Sequence, residues 1–154
     1  MKILSSAFEE NQRIPNQYTC DAEAPVSPPL KFEDVPPEAI SLALIMDDPD
    51  VPVQLKPDGE FTHWVLFNIN PDTDGIPEGS FAGTLGVNGA GKSEYAGPCP
   101  PPQYEPNEHR YFFHLYALDT RLDLPEGASK QEVLDAMDGH ILEKAELMAR
   151  YQRA

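Results

Sequence analysis

Positive charge, cysteine and long apolar runs are all scarce in this chain of 154 residues. Lys and Arg number 11 against 26 Asp and Glu, for a formal charge of -15. A field of that sign repels nucleic acid and anionic lipid surfaces, so nucleic-acid binding is excluded as an expectation. It does not exclude a small anion, because charges beyond about 8 Å are largely screened and the nearest groups decide. The only cysteines, Cys20 and Cys99, stand in neither CxxC nor zinc-ribbon spacing. That pattern argues against a disulfide framework or a structural zinc and leads one to expect free thiols. No run of about 18 apolar residues occurs, so integral membrane association is not expected. The opening MKILSSAFEE is too short in apolar residues for a signal sequence, and a cytoplasmic location is expected.

What is present in excess is proline, 17 residues, about twice the usual share. Fixed turns joining short extended segments fit that composition better than long helices do. The stretch ISLALIM places Ile40, Leu42, Leu44 and Met46 on one side at period two, with Ile45 opposite, before DDPDVP ends it. In HWVLFNI, strict alternation would put His63, Val65, Phe67 and Ile69 on one face and Trp64 and Leu66 on the other. HRYFFHLYAL is the strongest strand signal, with His109, Tyr111, Phe113, Leu115 and Ala117 in one row. Helix enters late. Ser129 and Glu132 have capping-box spacing ahead of Val133, Leu134, Met137, Ile141, Leu142, Ala145 and Met148, and Gly139 is expected to split that segment into two helices. The sum is a mainly β chain: one domain over 1–154, an antiparallel Greek-key β-sandwich with peripheral and C-terminal helices.

The segment from Gly86 to Ser93 matches the phosphate-loop pattern GxxxxGK[ST]. Such a loop works because a buried strand leads into it and a helix beginning at the Lys-Ser pair aims its amides at the phosphates. Here SEYAGPCPPP comes next, with Gly97, Pro98, Pro100, Pro101 and Pro102, and a proline inside a helix costs about 3 kcal/mol. No helix can follow Lys92. The match is a coincidence of a glycine-rich loop.

Polar residues that open or close core strands are the better candidates for chemistry: Asp48 and Asp50, His63, and His109 with Tyr111. Each also has an ordinary reading. An Asp before or after proline shapes its own turn. A histidine at a strand edge is often simply hydrogen-bonded in place, the reading given to His114 and His140. Tyr111 can be a core ring with a wet hydroxyl.

DDPDVP, HWVLFNI, SEYAGPCPPP and HRYFFHLYALD, in this order, resemble the signature of the phosphatidylethanolamine-binding protein family, in its bacterial and archaeal Raf kinase inhibitor-like branch. The likeness runs from IPNQYTC and VSPPL to GHILEKAELMARY. It implies a β-sandwich with a small pocket for phosphate-like or carboxylate groups, non-enzymatic and without cofactor or metal. By position, Asp48, Asp50, His63, His109 and Tyr111 would form that pocket, with Tyr95, Gly97, Pro100, Pro101 and Pro102 as a wall. The resemblance extends to homodimers, through the terminal helices, and to partners that are protein kinases or serine proteases. Val51 stands where the family has alanine, Asn11 and Ala22 replace turn glycines, and the loop QYEPNE before His109 is long.

Two acids at an anion site are reconciled by pairing, since a nearby carboxylate favours imidazolium. On that view His63 and His109 donate to the ligand, Asp48 and Asp50 orient them, and Tyr111 adds a neutral donor. Arg110, on the opposite face, is expected in a structural ion pair. The rivals are a metal-dependent hydrolase built from the same histidines and acids, a hydrolase using Cys99 as nucleophile near His109, and a protein acting through its surface alone.

Overall fold

The computed structural model describes residues 1–153. The three core runs read from the sequence are strands: β3 (Ser41–Asp48), β4 (Phe61–Ile69) and β7 (Glu108–Leu118). With β6 (Thr84–Leu85) and β8 (Ile141–Gln152) they form an antiparallel sheet in the order β6-β4-β3-β7-β8. A smaller sheet, β1-β2-β5, consists of Lys2–Leu4, Leu30–Glu33 and Gly75–Ile76. Leu42, Leu44, Met46, Trp64, Leu66 and Phe113 share one core cluster with Ile3, Phe32 and Ile76 of the small sheet. On the other face, Ala43, Ile45, Val65 and Phe67 pack with Val133 and Met137 of α1 (Lys130–Met137). β3 is therefore buried on both sides, which is why its sequence is a nearly unbroken apolar run. Burying each such side chain stabilises the fold by about 1.5–3 kcal/mol. The mainly β, two-sheet architecture is the one the sequence leads one to expect. Ile40 is the exception in its row: it precedes the strand and is exposed.

Strict alternation fails twice in β4, and both failures are β-bulges. Met46 pairs with Trp64 but Asp47 pairs with Thr62, leaving His63 as an extra residue. His63 and Trp64 consequently face the same side, not opposite sides. Further along, Leu42 pairs with Ile69 and Leu44 with Leu66. The extra residue there is Asn68, at φ 52°, and it moves Ile69 onto the Leu66 side. The Asn68 amide group exchanges hydrogen bonds with the backbone of Leu122.

The C-terminus departs further from expectation. The capping box of Ser129 and Glu132 forms as the sequence indicates and α1 begins there, but α1 ends at Met137. Gly139, at φ 81°, does divide the segment, yet the chain then enters β8 rather than a second helix. Residues 141–152 pair with the whole of β7, with one irregularity at Leu142, and Leu147, Ala149 and Tyr151 alternate inward. Cross-strand pairing with a long buried neighbour outweighs the local helical spacing. Part of the outer edge of β8 is covered by the N-terminal segment, through Asn11 N–H to Met148 O, Arg150 N–H to Gln12 O and Ile14 N–H to Arg150 O. Asn11 makes this approach at φ 67°, a conformation asparagine tolerates in place of glycine.

Cys20 and Cys99 are not free. They form a disulfide across 79 residues, with Cα atoms 5.4 Å apart. No helix is long and apolar enough to cross a membrane, among the described residues. After Lys92 the chain is irregular, without the helix a phosphate loop requires.

Candidate functional site

β3, β4 and β7 end at one rim, where a cavity of about 270 Å³ is lined by Asp48, His63, His109 and Tyr111 and walled by Phe61 and the 96–101 segment. The bulge in β4 makes this possible. It lets His63 face the cavity while the next residue, Trp64, still serves the core on the same side. The His63 ring lies edge-on to Phe61 at 4.8 Å and to Tyr111 at 5.2 Å.

The hydrogen bonds constrain the His109 imidazole on both edges. His109 Nε2 is 2.9 Å from the carbonyl oxygen of Pro106, and Nδ1 is 2.6 Å from Asp48 Oδ2. A carbonyl only accepts, so Nε2 carries a proton; an ionised Asp48 requires one on Nδ1 as well. Burial works against that charge, but the Asp48 carboxylate and the Pro106 carbonyl together raise the imidazole above its ordinary value. The surroundings of His109 thus favour the imidazolium, and both ring nitrogens are engaged inside the protein. The other oxygen of Asp48 accepts from the Asp50 N–H at 2.8 Å, so Asp48 shapes its own turn as well as charging His109.

His63 is the opposite case. Its Nδ1–H donates to the Ala96 carbonyl at 2.7 Å, and among the described residues Nε2 has no partner. Burial pushes its imidazole below the ordinary value, more than the Ala96 carbonyl and Asp48 restore. A neutral ring with an open acceptor edge results. The Tyr111 hydroxyl is buried without a hydrogen-bond partner among the described residues. Burial, then the Asp48 charge, pushes that phenol up, so it stays a neutral donor. An unpaired hydroxyl of this kind costs about 1–3 kcal/mol.

Several expected pocket residues lie elsewhere. Asp50 is held by Arg110, whose Nε and Nη2 donate at 2.9 and 2.8 Å, and by the Arg110 N–H. Burial would raise the Asp50 carboxyl, but Arg110 holds it below the usual range. It is not a cavity wall, and the ion pair expected for Arg110 is with this residue. Tyr95 lies against Trp64 and donates to the Tyr18 carbonyl at 2.8 Å, on the far side of the wall. Pro102 is exposed at the surface. Gly97, Pro100 and Pro101 do line the cavity. A Cβ on Gly97 would sit 2.8 Å from the Tyr18 carbonyl oxygen, so the wall's close approach to the 18–19 segment needs glycine here. Both ring nitrogens of His109, expected as a ligand donor, are engaged within the protein, and Cys99 is not an available nucleophile, being in the disulfide. Sequence reasoning missed Phe61, Ala96 and Cys99 as wall residues; the proximity of SEYAGPCPPP to the pocket residues was the available signal. For a metal, Asp48 and His109 are committed to each other, which leaves His63 Nε2 as the open ligating atom of the histidines here.

Comparisons with known proteins agree with this architecture. A model of the family described as phosphatidylethanolamine-binding protein matches residues 4–152. A UPF0098 protein of Methanothermobacter thermautotrophicus is 51% identical over 160 residues, covering 99% of each chain. The crystal structure of a phosphatidylethanolamine-binding protein homolog from Chlamydia trachomatis superposes with a TM-score of 0.93 at 44% identity, covering 99% of this chain and 97% of that one. Escherichia coli YbcL, at 21% identity, shares the fold with a TM-score of 0.86 over 99% of this chain and 98% of its own. The chain belongs to the phosphatidylethanolamine-binding protein family.

Proposed function

We propose that the rim cavity binds the acidic head of a small organic ligand, a phosphomonoester or carboxylate, as a binding site without catalysis. The observation that carries this reading is His63 Nε2, without a partner among the described residues at a cavity walled largely by apolar side chains, next to Tyr111, whose hydroxyl is buried and unpaired. A pocket with a few convergent polar groups among apolar walls is the usual form of a small-molecule site. At about 270 Å³ it fits a headgroup and a small apolar neighbour. The Asp48–His109 pair is neutral as a unit, so the ligand's charge is not met by a standing cation. It is met by a proton taken up on His63, whose Nε2 then donates to the ligand oxyanion beside Tyr111. Support for binding over catalysis comes from commitment: Asp48, His109, Asp50 and Cys99 are each tied to a partner within the protein. A protein partner, such as the kinase or serine protease that the family resemblance implies, would meet the exposed Val53 and Leu55 of the 51–59 loop, which begins at the cavity wall.

The test uses benzoate, which keeps one negative charge between about pH 5 and 8 where histidine titrates. Because the free His63 is neutral and an anion raises its pKa, affinity should fall as pH rises, and calorimetry in buffers of different ionisation enthalpy should show proton uptake. His63→Ala should abolish both. Binding that is flat across this range, or that survives His63→Ala, would refute the reading.

A further inference from the structure

We propose that the Cys20–Cys99 disulfide is a redox modification site, opened by a dithiol reductant, that sets whether the cavity wall is ordered. This inference rests on the anion-binding reading for its effect on ligand, but not for its effect on the wall. Cys99 lines the cavity and is exposed, while Cys20 is half-buried. The bond therefore lies where a ligand and a reductant both have access.

Apart from the packing of the buried Pro98 and Pro100 and the close approach of Gly97 to Tyr18, the wall has few hydrogen bonds to hold its shape. Pro98, Pro100, Pro101 and Pro102 have no N–H to give. Ala96 is fixed twice to His63, through Ala96 N–H to the His63 carbonyl and His63 Nδ1–H to the Ala96 carbonyl. Beyond it, the backbone bonds are Cys20 N–H to the Pro98 carbonyl at 3.1 Å and Tyr104 N–H to the Pro101 carbonyl at 3.4 Å. Residues 97–102, which cannot join a sheet, are thus tied to 18–21 by one backbone hydrogen bond and one covalent link in addition to packing. The link does for this wall what a hydrogen-bond ladder does for β3.

The chemistry balances. A thiolate of the reductant attacks the sulfur of Cys99, the more exposed of the two residues, forming a mixed disulfide and releasing Cys20 as a thiolate, which takes a proton. The reductant's second thiol attacks its own sulfur in the mixed bond and releases Cys99. The reductant leaves as a disulfide, two electrons and two protons having passed to the protein. Reduction then frees residues 97–102 on the His63 side of the cavity, and reoxidation restores them. Affinity falls because a wall ordered only on binding adds its ordering cost to each binding event.

The experiment compares the full chain, oxidised and after dithiothreitol, with the double variant Cys20→Ser/Cys99→Ser. Titration with benzoate and with inorganic phosphate is combined with NMR relaxation of the Gly97, Cys99 and Gln103 amides. Expected are about tenfold or greater weakening on reduction, recovery on reoxidation, the same weak affinity in the double variant, and faster motion at those amides with the sheet signals unchanged. Equal affinity and equal amide order in both states would overturn the proposal, as would a disulfide that dithiothreitol does not open while the protein stays folded. If neither state binds either anion, the anion-binding reading fails. The redox site is then judged on the amides alone: unchanged order overturns it and increased motion supports it.

Discussion

β3 ends in two adjacent acids, Asp47 and Asp48, which face opposite sides of the sheet and each meet a histidine of β7. Asp48 and His109 are almost wholly buried, 2.6 Å apart, with every ring N–H engaged and a cavity beside them. Asp47 and His114 are 3.3 Å apart and 14% exposed, and Asp47 also receives Lys130 at 2.9 Å. Glu146 stands 3.1 Å from His114 Nδ1 but without hydrogen-bond geometry. Burial would raise the Asp47 carboxyl, but His114 and Lys130 lower it. The residue types are the same on the two faces. What differs is enclosure: on one face α1 brings a lysine to share the charge, and on the other the proline wall borders a cavity. A His–Asp pair becomes part of a candidate site through what surrounds it.

The largest difference between the faces should appear in stability. Asp48→Ala leaves a buried imidazolium unpaired and should cost about 3–5 kcal/mol. Asp47→Ala removes a partly solvated pair with a second cation nearby and should cost about 1 kcal/mol. Urea denaturation checks both, and equal costs would erase the distinction. Next in size is Gly97→Ala, whose Cβ meets the Tyr18 carbonyl at 2.8 Å. Displacing the wall should cost about 1–3 kcal/mol and weaken benzoate binding, with the Asp47 face unaffected.

pH gives a further separation. The folded-state pKa of His109 is raised, so its contribution to stability is complete below the unfolded value of about 6.5 and is lost as pH climbs through the raised folded value. The destabilisation caused by His109→Gln should accordingly be greatest on the acid side and shrink with rising pH. A deficit that grows with pH would mean the sign is wrong. The smallest expected effect lies on the other face, where Ser129→Ala removes the cap that starts α1 just before Lys130 and should cost about 1 kcal/mol, with no change in anion affinity.

The buried strands were legible because burial on both faces writes itself as an apolar run in β3, and burial of one face as an alternating row in β7. The polar residues at their ends were legible for the same reason, since Asp48, His63, His109 and Tyr111 interrupt those rows at the termini. The face of His63 was not, because a bulge is a relation between two strands and leaves no mark in one. Nor was β8, whose Ile141, Leu142, Ala145 and Met148 have helical spacing; only the unpaired edge of β7 makes a strand the better choice. The pairing of Cys20 with Cys99 depends on the fold bringing 18–21 against the proline wall, which a separation of 79 residues does not disclose. Family resemblance placed Asp50 and Tyr95 in the pocket, but Arg110 takes the first and the Tyr18 carbonyl orients the second away.

Nitrogen NMR of the histidine rings, recorded near neutral pH before and after adding benzoate, reads the proton placement directly. The expected result is a His109 ring protonated on both nitrogens throughout, and a His63 ring that is neutral with its proton on Nδ1 until the anion arrives and doubly protonated afterwards. A His109 ring that is neutral, or a His63 ring whose protonation the anion leaves unchanged, would contradict the division of labour between the two histidines.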